Sequence, residues 1–304
     1  MTTSVRPAGA PPRRAGGPAR RRRPAKKIGG TGLAAFLMLG PALVAILFFR
    51  LVPAVEAIRT SLSDPQGAFA SYARVFADPA FLASVRQTLL FTVLVNPFQI
   101  LLALGLAVLL TQRLPLVGLW RTLIFLPAAL PQVVSAIIWG VMFRPDGPLN
   151  AVLGALGLPH QPFLTSKFQA LPGIIILVSW VGVGYWMMFL VAGLKDIPGD
   201  TLEAAKIDGA GPLRTFFRVT LPQLKRPLLF VLVADTIANF LVFAPVETLT
   251  AGGPDHSTNL IMFDIYERAY VTGDLPAASA ETFILLCIIL AVVSIQFKLL
   301  PSED

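Results

Sequence analysis

Six long apolar runs constrain the fold of this 304-residue chain more than any other feature. A helix crosses the hydrocarbon core of a membrane in about 20 residues, and each run reaches that length. Because backbone groups find no water in lipid, such runs must be helical. The six predicted spans are residues 34–58, 83–111, 119–143, 170–194, 227–249 and 279–300. Prolines inside them predict kinks, at Pro53, Pro97, Pro127, Pro131 and Pro245. We therefore predict an all-α integral membrane protein.

The composition supports this class and excludes several others. Only 14% of the residues are charged and 55% are hydrophobic, whereas soluble domains carry about 25% charged residues. The single cysteine, Cys287, rules out a disulfide framework within the chain. His160 and His256 have no metal-ligand spacing around them, so we expect no metal site. The sequence contains no Walker A pattern, HExxH or nucleophile elbow, which predicts that the chain is not an enzyme and binds no cofactor.

Residues 1–32 hold nine Lys/Arg and no acidic or aromatic residue, and they are rich in Pro, Gly and Ala. We interpret this stretch as a disordered cytoplasmic tail that fixes orientation and touches anionic lipid. A nucleic-acid-binding arm is the disfavoured alternative, because the stretch lacks aromatic residues and leads directly into an apolar run. The six-span domain then covers 33–304.

The distribution of Lys/Arg predicts the orientation. With a cytoplasmic N-terminus, the inside segments hold 18 basic residues and the outside segments hold six. Positive charge accumulates on the cytoplasmic side of membrane proteins. We therefore expect both termini, and the connection at 195–226, to be cytoplasmic.

That connection contains a charged segment, residues 200–224, which we call the elbow. Residues 200–208 suit a short helix in which Asp200 acts as the cap and Glu203 occupies the capping-box position. Gly209 and Gly211 follow, and they offer the positive φ that a turn needs.

A second helix of the elbow is predicted to begin at Pro212, which suits a first helical turn. An apolar stripe follows at helical spacing, formed by Leu213, Phe216, Phe217, Leu221 and Leu224. Another face carries Arg214, Arg218 and Lys225. An exposed apolar patch of this kind indicates a protein partner. An amphipathic helix lying on lipid headgroups is the alternative.

The residues of the elbow resemble a known motif. "EAAKIDGA", followed after a gap by "VTLPQL", resembles the EAA loop of binding-protein-dependent ABC importer permeases. Three further stretches, at 118–143, 190–198 and 249–258, resemble sugar-type permeases of the maltose and glycerol-3-phosphate kind, in the same order. The positions that match the motif are Glu203, Ala204, Ala205, Asp208, Gly209, Ala210, Leu221 and Pro222.

The resemblance implies an ABC importer type I permease fold in the cell inner membrane. It also implies that the elbow, within a coupling loop at 197–226, sits in a cleft of a separate cytoplasmic ATPase. Two such ATPase subunits would bind ATP and Mg, and a second homologous permease chain would complete the pore. An extracytoplasmic substrate-binding protein would dock on 59–82, 145–169 and 250–277. To the motif positions the spacing adds Arg214, Phe216, Phe217 and Arg218 as candidate coupling residues.

Two polar residues in the fifth predicted span indicate a substrate path. Asp235 and Asn239 are four residues apart and share one helix face. Polar groups inside a span are costly and point to function. By resemblance, Asn239 falls where maltose-type permeases have a substrate-contacting Asn, whereas Val242 replaces a second one. Asp235 could accept hydrogen bonds from hydroxyls, attract a cationic group or pair with a basic residue of a partner chain.

The fourth predicted span adds polar and aromatic residues to the candidate path, namely Ser179, Trp180, Tyr185 and Trp186. Aromatic faces suit the C–H surfaces of sugars and also cationic head groups. Packing, or a position at the membrane interface, is the alternative reading of these side chains.

We therefore expect a permease subunit of an ATP-driven importer for a sugar or sugar derivative, working by alternating access. One alternative substrate is a polyol or a glycerophosphodiester, such as one with a cationic head group. A secondary transporter that needs no ATPase is the alternative from another class, although the sequence shows no inverted repeat.

Overall fold

The computed structural model of the protein describes residues 31–112 and 114–299, and the side chains from Phe36 onward. The tail predicted at 1–32 lies outside these residues except for its last two positions. Contacts divide the chain into two units, the first ending at Pro53 and the second beginning at Ala54. Every regular element within the described ranges is helical, as the apolar runs predict.

The first part of the chain contains α1 (Thr31–Ile46), a π-helical turn (Leu47–Leu51) and α2 (Val52–Ser61). The helices that follow are α3 (Ala70–Ala77), α4 (Pro79–Leu110), α5 (Val117–Phe125), α6 (Gln132–Met142), α7 (Pro148–Ala155), α8 (Ala170–Lys195), α9 (Gly199–Ile207), α10 (Pro212–Thr215), α11 (Leu221–Gln223), α12 (Lys225–Phe240), α13 (Ala244–Leu249), α14 (Ile261–Tyr266) and α15 (Leu275–Leu299).

Among the described residues, four helical stretches are long and apolar enough to cross a membrane: Phe36–Ser61, Pro79–Leu110, Ala170–Lys195 and Leu275–Leu299. A fifth span is obtained if the pair Val117–Ala129 and Gln132–Met142 is counted as one, although its two parts meet at 100°. The bend falls at Leu130, whose extended backbone (ψ 141°) precedes Pro131. Proline disfavours helical geometry in the residue before it, so the kink expected from Pro131 is found here as a complete break.

The fifth predicted span, 227–249, is divided in the structure. Helix α12 ends at Phe240, and α13 begins at Ala244 with Pro245 in its first turn. Proline has no N–H to donate to the preceding turn, so it suits the start of a new helix better than the interior of a continuous one. Neither piece alone has the length of a span, and the total of six spans stays a prediction.

The core of the second unit forms around α8, which packs along α4, while α12 contacts both of them. Helix α15 also packs against α12. The buried residues between α4, α8 and α12 include Ala103, Ala107, Met187 and Val231. Small residues let helix backbones approach closely inside membranes. This packing brings the polar residues of three helices together.

A group of ion pairs lies beside the N-terminal end of α4, and we call it the arginine cluster. Arg268 pairs with Asp78, which caps α4, and with Glu281 of α15. Arg74 pairs with Asp64 and, at 2.8 Å, with Asp274. The cluster comprises Asp64, Arg74, Asp78, Asp264, Arg268, Asp274 and Glu281.

Candidate functional site

The first helix of the elbow starts one residue earlier than predicted. Helix α9 begins at Gly199 with Pro198 in the N-cap position, and no side chain caps it. The prediction that Asp200 acts as the cap is therefore wrong, and Glu203 has no capping box to complete. Asp200 instead lies within the first turn, where its negative charge interacts favourably with the helix dipole.

The turn after α9 depends on one of the two glycines. Gly209 has a φ of +73°. Its N–H donates to the carbonyl of Lys206 (3.0 Å), and the N–H of Ala210 donates to the carbonyl of Ala205 (3.0 Å). This pair of bonds is the Schellman arrangement, which ends a helix with a residue in the left-handed region. Gly211 has a φ of −67°, so the predicted positive φ is wrong at that position.

The second part of the elbow is helical, but its register is not uniform. Helix α10 begins at Pro212 as predicted, and a π-helical turn at Phe216–Thr220 separates it from α11. The side chains predicted to form one apolar stripe therefore differ in how exposed they are. Leu213 and Phe217 are 75% and 61% exposed, whereas Leu224 is fully buried. Leu224 anchors the elbow, and the exposed end is available to a partner.

The exposed end of the elbow combines apolar and charged side chains. The most exposed large hydrophobic residue is Ile207, at 86%, which sequence reasoning missed. Glu203, Arg214 and Arg218 are also exposed, and none of them forms a salt bridge with another described residue. Of the motif positions, Ala204 and Asp208 are exposed and Ala205 is buried. The surface therefore presents apolar side chains beside charges that have no ion-pair partner in the described part of the chain.

The two phenylalanines of the elbow line different cavities. Phe216 lines one of about 620 Å³, together with Lys195, Lys206 and residues near the end of α4. Phe217 lines an apolar one of about 440 Å³ with Leu221, Pro222 and residues of α12. The rings remain in contact, with centroids 5.0 Å apart. The elbow thus rests on the ends of α4, α8 and α12.

A third cavity, of about 220 Å³, contains most of the predicted substrate-path residues. It is lined by Gln99, Ala128, Gln132, Val178, Val181, Gly182, Tyr185, Trp186, Asp235, Ala238, Asn239 and Val242. Tyr185 and Trp186 stand edge to face, with ring centroids 4.9 Å apart. Helix α8 contributes the aromatic side and α12 contributes the acid and the amide.

Asp235 is 1% exposed and belongs to this lining. Trp186 and Asn239 belong to the same lining. The Oδ2 atom of Asp235 has no hydrogen-bond partner among the described residues. A buried oxygen without a partner is costly, so this carboxyl group is suited to accept a hydrogen bond from a bound molecule.

Asn239 belongs to a buried polar network that joins three helices. Its Nδ2 donates to Oδ1 of Asn96 at 2.8 Å, and Asn96 donates to the Thr236 hydroxyl at 2.6 Å. Gln296 of α15 donates to the same hydroxyl at 2.7 Å. Asn239 also lies 3.4 Å from Oε1 of Gln99, whose Nε2 has no partner among the described residues. Asparagine and glutamine residues inside predicted spans are the sequence feature that indicates this network. Of these residues, only Asn239 was predicted to have a function.

Ser179 and Trp180 do not join the lining of this cavity. Ser179 is buried and its hydroxyl has no hydrogen-bond partner in the described chain. Trp180 packs edge to face against Trp139, at 5.9 Å between ring centroids. Of the seven predicted path residues, the structure therefore places five around one cavity. Within residues 31–112 and 114–299, no group of three or more His, Cys, Asp or Glu side chains is arranged to hold a metal ion.

Comparisons with known proteins agree on one family. The model of the family described as "Binding-protein-dependent transport system inner membrane component" matches residues 99–302. The sn-glycerol-3-phosphate transport system permease protein UgpA of Pectobacterium atrosepticum is 33% identical over 277 residues, which cover 88% of this chain and 93% of that protein. The protein of the same name from Agrobacterium fabrum is 31% identical over 282 residues, covering 88% and 94%.

Among solved structures, a chain of a bacterial ABC transporter involved in the import of the acidic polysaccharide alginate matches with a TM-score of 0.81. The match covers 90% of this chain and 97% of that chain, at 21% sequence identity. At this level of identity the likeness shows the fold alone, which is that of an ABC importer permease.

Proposed function

The chain belongs to the family of binding-protein-dependent transport system inner membrane components, and we propose that it carries a sugar or sugar derivative across the inner membrane by alternating access. The observation that carries this proposal is the connection between the elbow and the Asp235 cavity. The elbow links the end of α8 to the start of α12, and these two helices supply most of the lining of the cavity. A force on the elbow therefore acts on both walls of the cavity.

The driving force would come from ATP hydrolysis, with Mg, on two partner ATPase subunits on the cytoplasmic side. The elbow supports this role because Ile207, Leu213 and Phe217 expose apolar surface next to charges that are unpaired within the described chain. Apolar anchors surrounded by polar groups are typical of protein interfaces. Exposed Glu203, Arg214 and Arg218 would set the register of docking.

Membership of the family supports the rest of the proposed assembly. A second permease chain would complete the substrate path, and an extracytoplasmic substrate-binding protein would deliver the substrate. A homologous fold occurs in a bacterial alginate ABC transporter solved in complex with an alginate pentasaccharide-bound periplasmic protein. Both termini, and the elbow, would be cytoplasmic, as the distribution of Lys/Arg predicts.

The lining of the Asp235 cavity favours a substrate rich in hydroxyl groups. Asp235, Asn239, Gln99 and Gln132 offer hydrogen-bond acceptors and donors, and Tyr185 and Trp186 offer aromatic faces. No Lys or Arg is among these lining residues. The relatives are named for sn-glycerol-3-phosphate, but a free phosphate would find no cation among the lining residues that this chain supplies.

A second candidate substrate is a glycerophosphodiester with a cationic head group. The buried Asp235 carboxyl and the neighbouring rings of Trp186 and Tyr185 favour it. An acid combined with aromatic faces is the usual arrangement for binding quaternary ammonium groups.

Charge reversal at Glu203 tests the coupling role. In the assembled importer, Glu203→Lys is expected to lower ATP-dependent uptake about ten-fold or more, the effect of losing about 1.4 kcal/mol. Uptake in membrane vesicles is normalised to the amount of inserted chain. Asp200→Lys is the matched control on the same helix and is expected to retain uptake. Normal uptake by Glu203→Lys, or an equal loss in both variants, would contradict a specific coupling role for Glu203.

Asp235→Asn tests the substrate path. It keeps the size of the side chain and removes the carboxylate, so we expect about a ten-fold change in apparent affinity for the substrate, with normal assembly. Competition by sugars, polyols and choline-type glycerophosphodiesters distinguishes the two candidate substrates. A variant that only fails to assemble with its partner permease would contradict a role in substrate binding.

A further inference from the structure

Helices α8 and α12 approach each other closely beside the two ends of the elbow. A Cβ atom placed on Gly193 would lie 2.7 Å from Cγ and 2.9 Å from Cβ of Pro227. It would also lie 3.3 Å from Cδ2 of Leu224, which is fully buried. Distances below 3 Å cannot be accommodated without movement, and the proline ring is tied to its own backbone and cannot rotate away. Only glycine therefore fits at position 193 in this arrangement.

Gly193 lies in the last turns of α8, where glycine is otherwise unfavourable. A glycine inside a helix is destabilising by about 1 kcal/mol relative to alanine. The contact with Pro227 supplies a packing reason for it. By contrast, a Cβ on Gly105 of α4, also inside a helix, would meet open space. Both glycines therefore lie inside a helix, but Gly193 is in close contact with a neighbouring helix and Gly105 is not.

The contact joins the two helices that carry the cavity. Trp186 lies seven residues before Gly193, about 10 Å along α8. Asp235 lies eight residues after Pro227, about 12 Å along α12. The elbow leaves α8 at Lys195 and enters α12 at Lys225, so both of its ends lie beside this contact.

We propose that Gly193, Pro227 and Leu224 form a joint that makes α8 and α12 move together when the elbow is displaced. Without the joint, a displacement of the elbow would be taken up by separation of the two helix ends. With it, the movement reaches both walls of the Asp235 cavity. Gly193 is a positioning residue in this scheme, and the inference rests on the coupling role proposed for the elbow.

The test compares substituted importers reconstituted with all their subunits. The quantity measured is the coupling ratio, which is substrate transported per ATP hydrolysed by the assembled complex. Gly193→Ala is expected to lower this ratio about five-fold or more, the lower end of coupling between distant sites. Gly105→Ala, the matched control, is expected to leave it unchanged. A merely structural role would lower the amount of complex without changing the ratio.

Reciprocal rescue makes the test specific to the contact. Pro227→Ala opens the joint from the other side and is expected to lower the ratio, whereas combining it with Gly193→Ala refills the space and is expected to restore it. If the importer with Gly193→Ala does not assemble, the coupling ratio of Pro227→Ala is compared with that of the double variant. An unchanged ratio in the single variants, or no recovery in the double variant, would overturn the joint.

Glu203→Lys separates this inference from its premise. If Glu203→Lys uncouples the importer while Gly193→Ala and Pro227→Ala do not, the joint is wrong and the role of the elbow remains. If Glu203→Lys leaves both ATP-dependent uptake and the coupling ratio intact, the coupling role proposed for Glu203 is wrong, and the joint is then judged by Gly193→Ala and Pro227→Ala.

Discussion

Arg268 and Arg74 lie among acidic side chains from several segments, whereas Arg214 and Arg218 of the elbow are exposed and form no salt bridge with another described residue. The two regions lie toward opposite ends of α4. Asp78 caps the start of this 32-residue helix, and residues near its end line the cavity under the elbow. A helix of that length extends about 48 Å.

The arginine cluster and the elbow differ in whether their charged side chains pair with one another or remain exposed to water. In the arginine cluster, the carboxyl group of Glu281 is fully buried and lies against the guanidinium group of Arg268. A buried charge without a partner is strongly unfavourable, so the cluster holds its segments together. The charges of the elbow remain in water, where exposed ion pairs contribute little, and they are free to pair with another protein. At the start of α4 the arginines pair with acidic side chains of the same chain, whereas the elbow presents its charges at the surface.

Removal of Arg268 should give the largest effect on stability. Arg268→Ala leaves the Glu281 carboxyl buried without its cation, and the expected loss is about 3–5 kcal/mol in the free energy of unfolding. Arg214→Ala is the matched arginine on the elbow and should change stability by about 0.5 kcal/mol or less. Thermal unfolding of the purified protein in detergent measures both. If both variants lost a similar free energy of unfolding, the arginine cluster and the elbow would not differ in how their arginines contribute to stability.

Gly209→Ala should give an intermediate effect, confined to the elbow. Its φ of +73° lies in the left-handed region, where a residue with a Cβ is less favourable by about 1–2 kcal/mol. Gly211→Ala is the control, because its φ of −67° suits any residue. Hydrogen exchange of the amides of α9 should accelerate only in the first variant. Equal exchange in the two would show that the turn does not depend on Gly209.

The smallest effect is expected from acid, and it concerns the carboxyl groups of the arginine cluster. The pKa of Asp64 is lowered from 3.8 by the Gln66 N–H, the Ser71 hydroxyl and Arg74. The pKa of Asp78 is lowered from the same value by Arg268 and the Ala80 N–H. A carboxyl group with a lowered pKa in the folded state contributes stability that is complete above pH 3.8 and is lost as the pH falls through the folded pKa.

Melting temperatures of the wild type and of Asp64→Asn should therefore differ most near neutral pH and converge below about pH 4. Arg214→Ala on the elbow removes no carboxyl group, so its melting temperature should run parallel to that of the wild type over this range. A constant difference between Asp64→Asn and the wild type down to low pH would show that the charge of Asp64 is not what stabilises the cluster.

Much of the fold was predictable because its signals are local. Apolar runs gave four helices of span length close to their predicted bounds, and Pro131 marked the break of another. The turn at Gly209 followed from one residue that tolerates positive φ. The division of 227–249 at Phe240 was less clear, because Pro245 is equally compatible with a kinked helix and with a new one.

The candidate cavity was predictable only in part. Spacing placed Asp235 and Asn239 on one face, and both line the cavity. The same reasoning included Ser179 and Trp180, which are not among the lining residues, and it passed over Gln99 and Asn96 of α4. Which side chain of α4 meets Asn239 depends on the rotation of one helix against another, and a single sequence does not carry that information.

By itself, the sequence determined the helical class, the family and the position of the elbow, because hydropathy, turn chemistry and the EAA motif act within a few neighbouring residues. The tertiary structure decided which charges are paired, which polar groups surround Asp235 and why Gly193 has no side chain. Arg268 meets Asp78 across 190 positions of sequence, and Gly193 meets Pro227 across the whole elbow. Such contacts exist only after the helices have packed, since packing selects which distant residues lie within reach of each other.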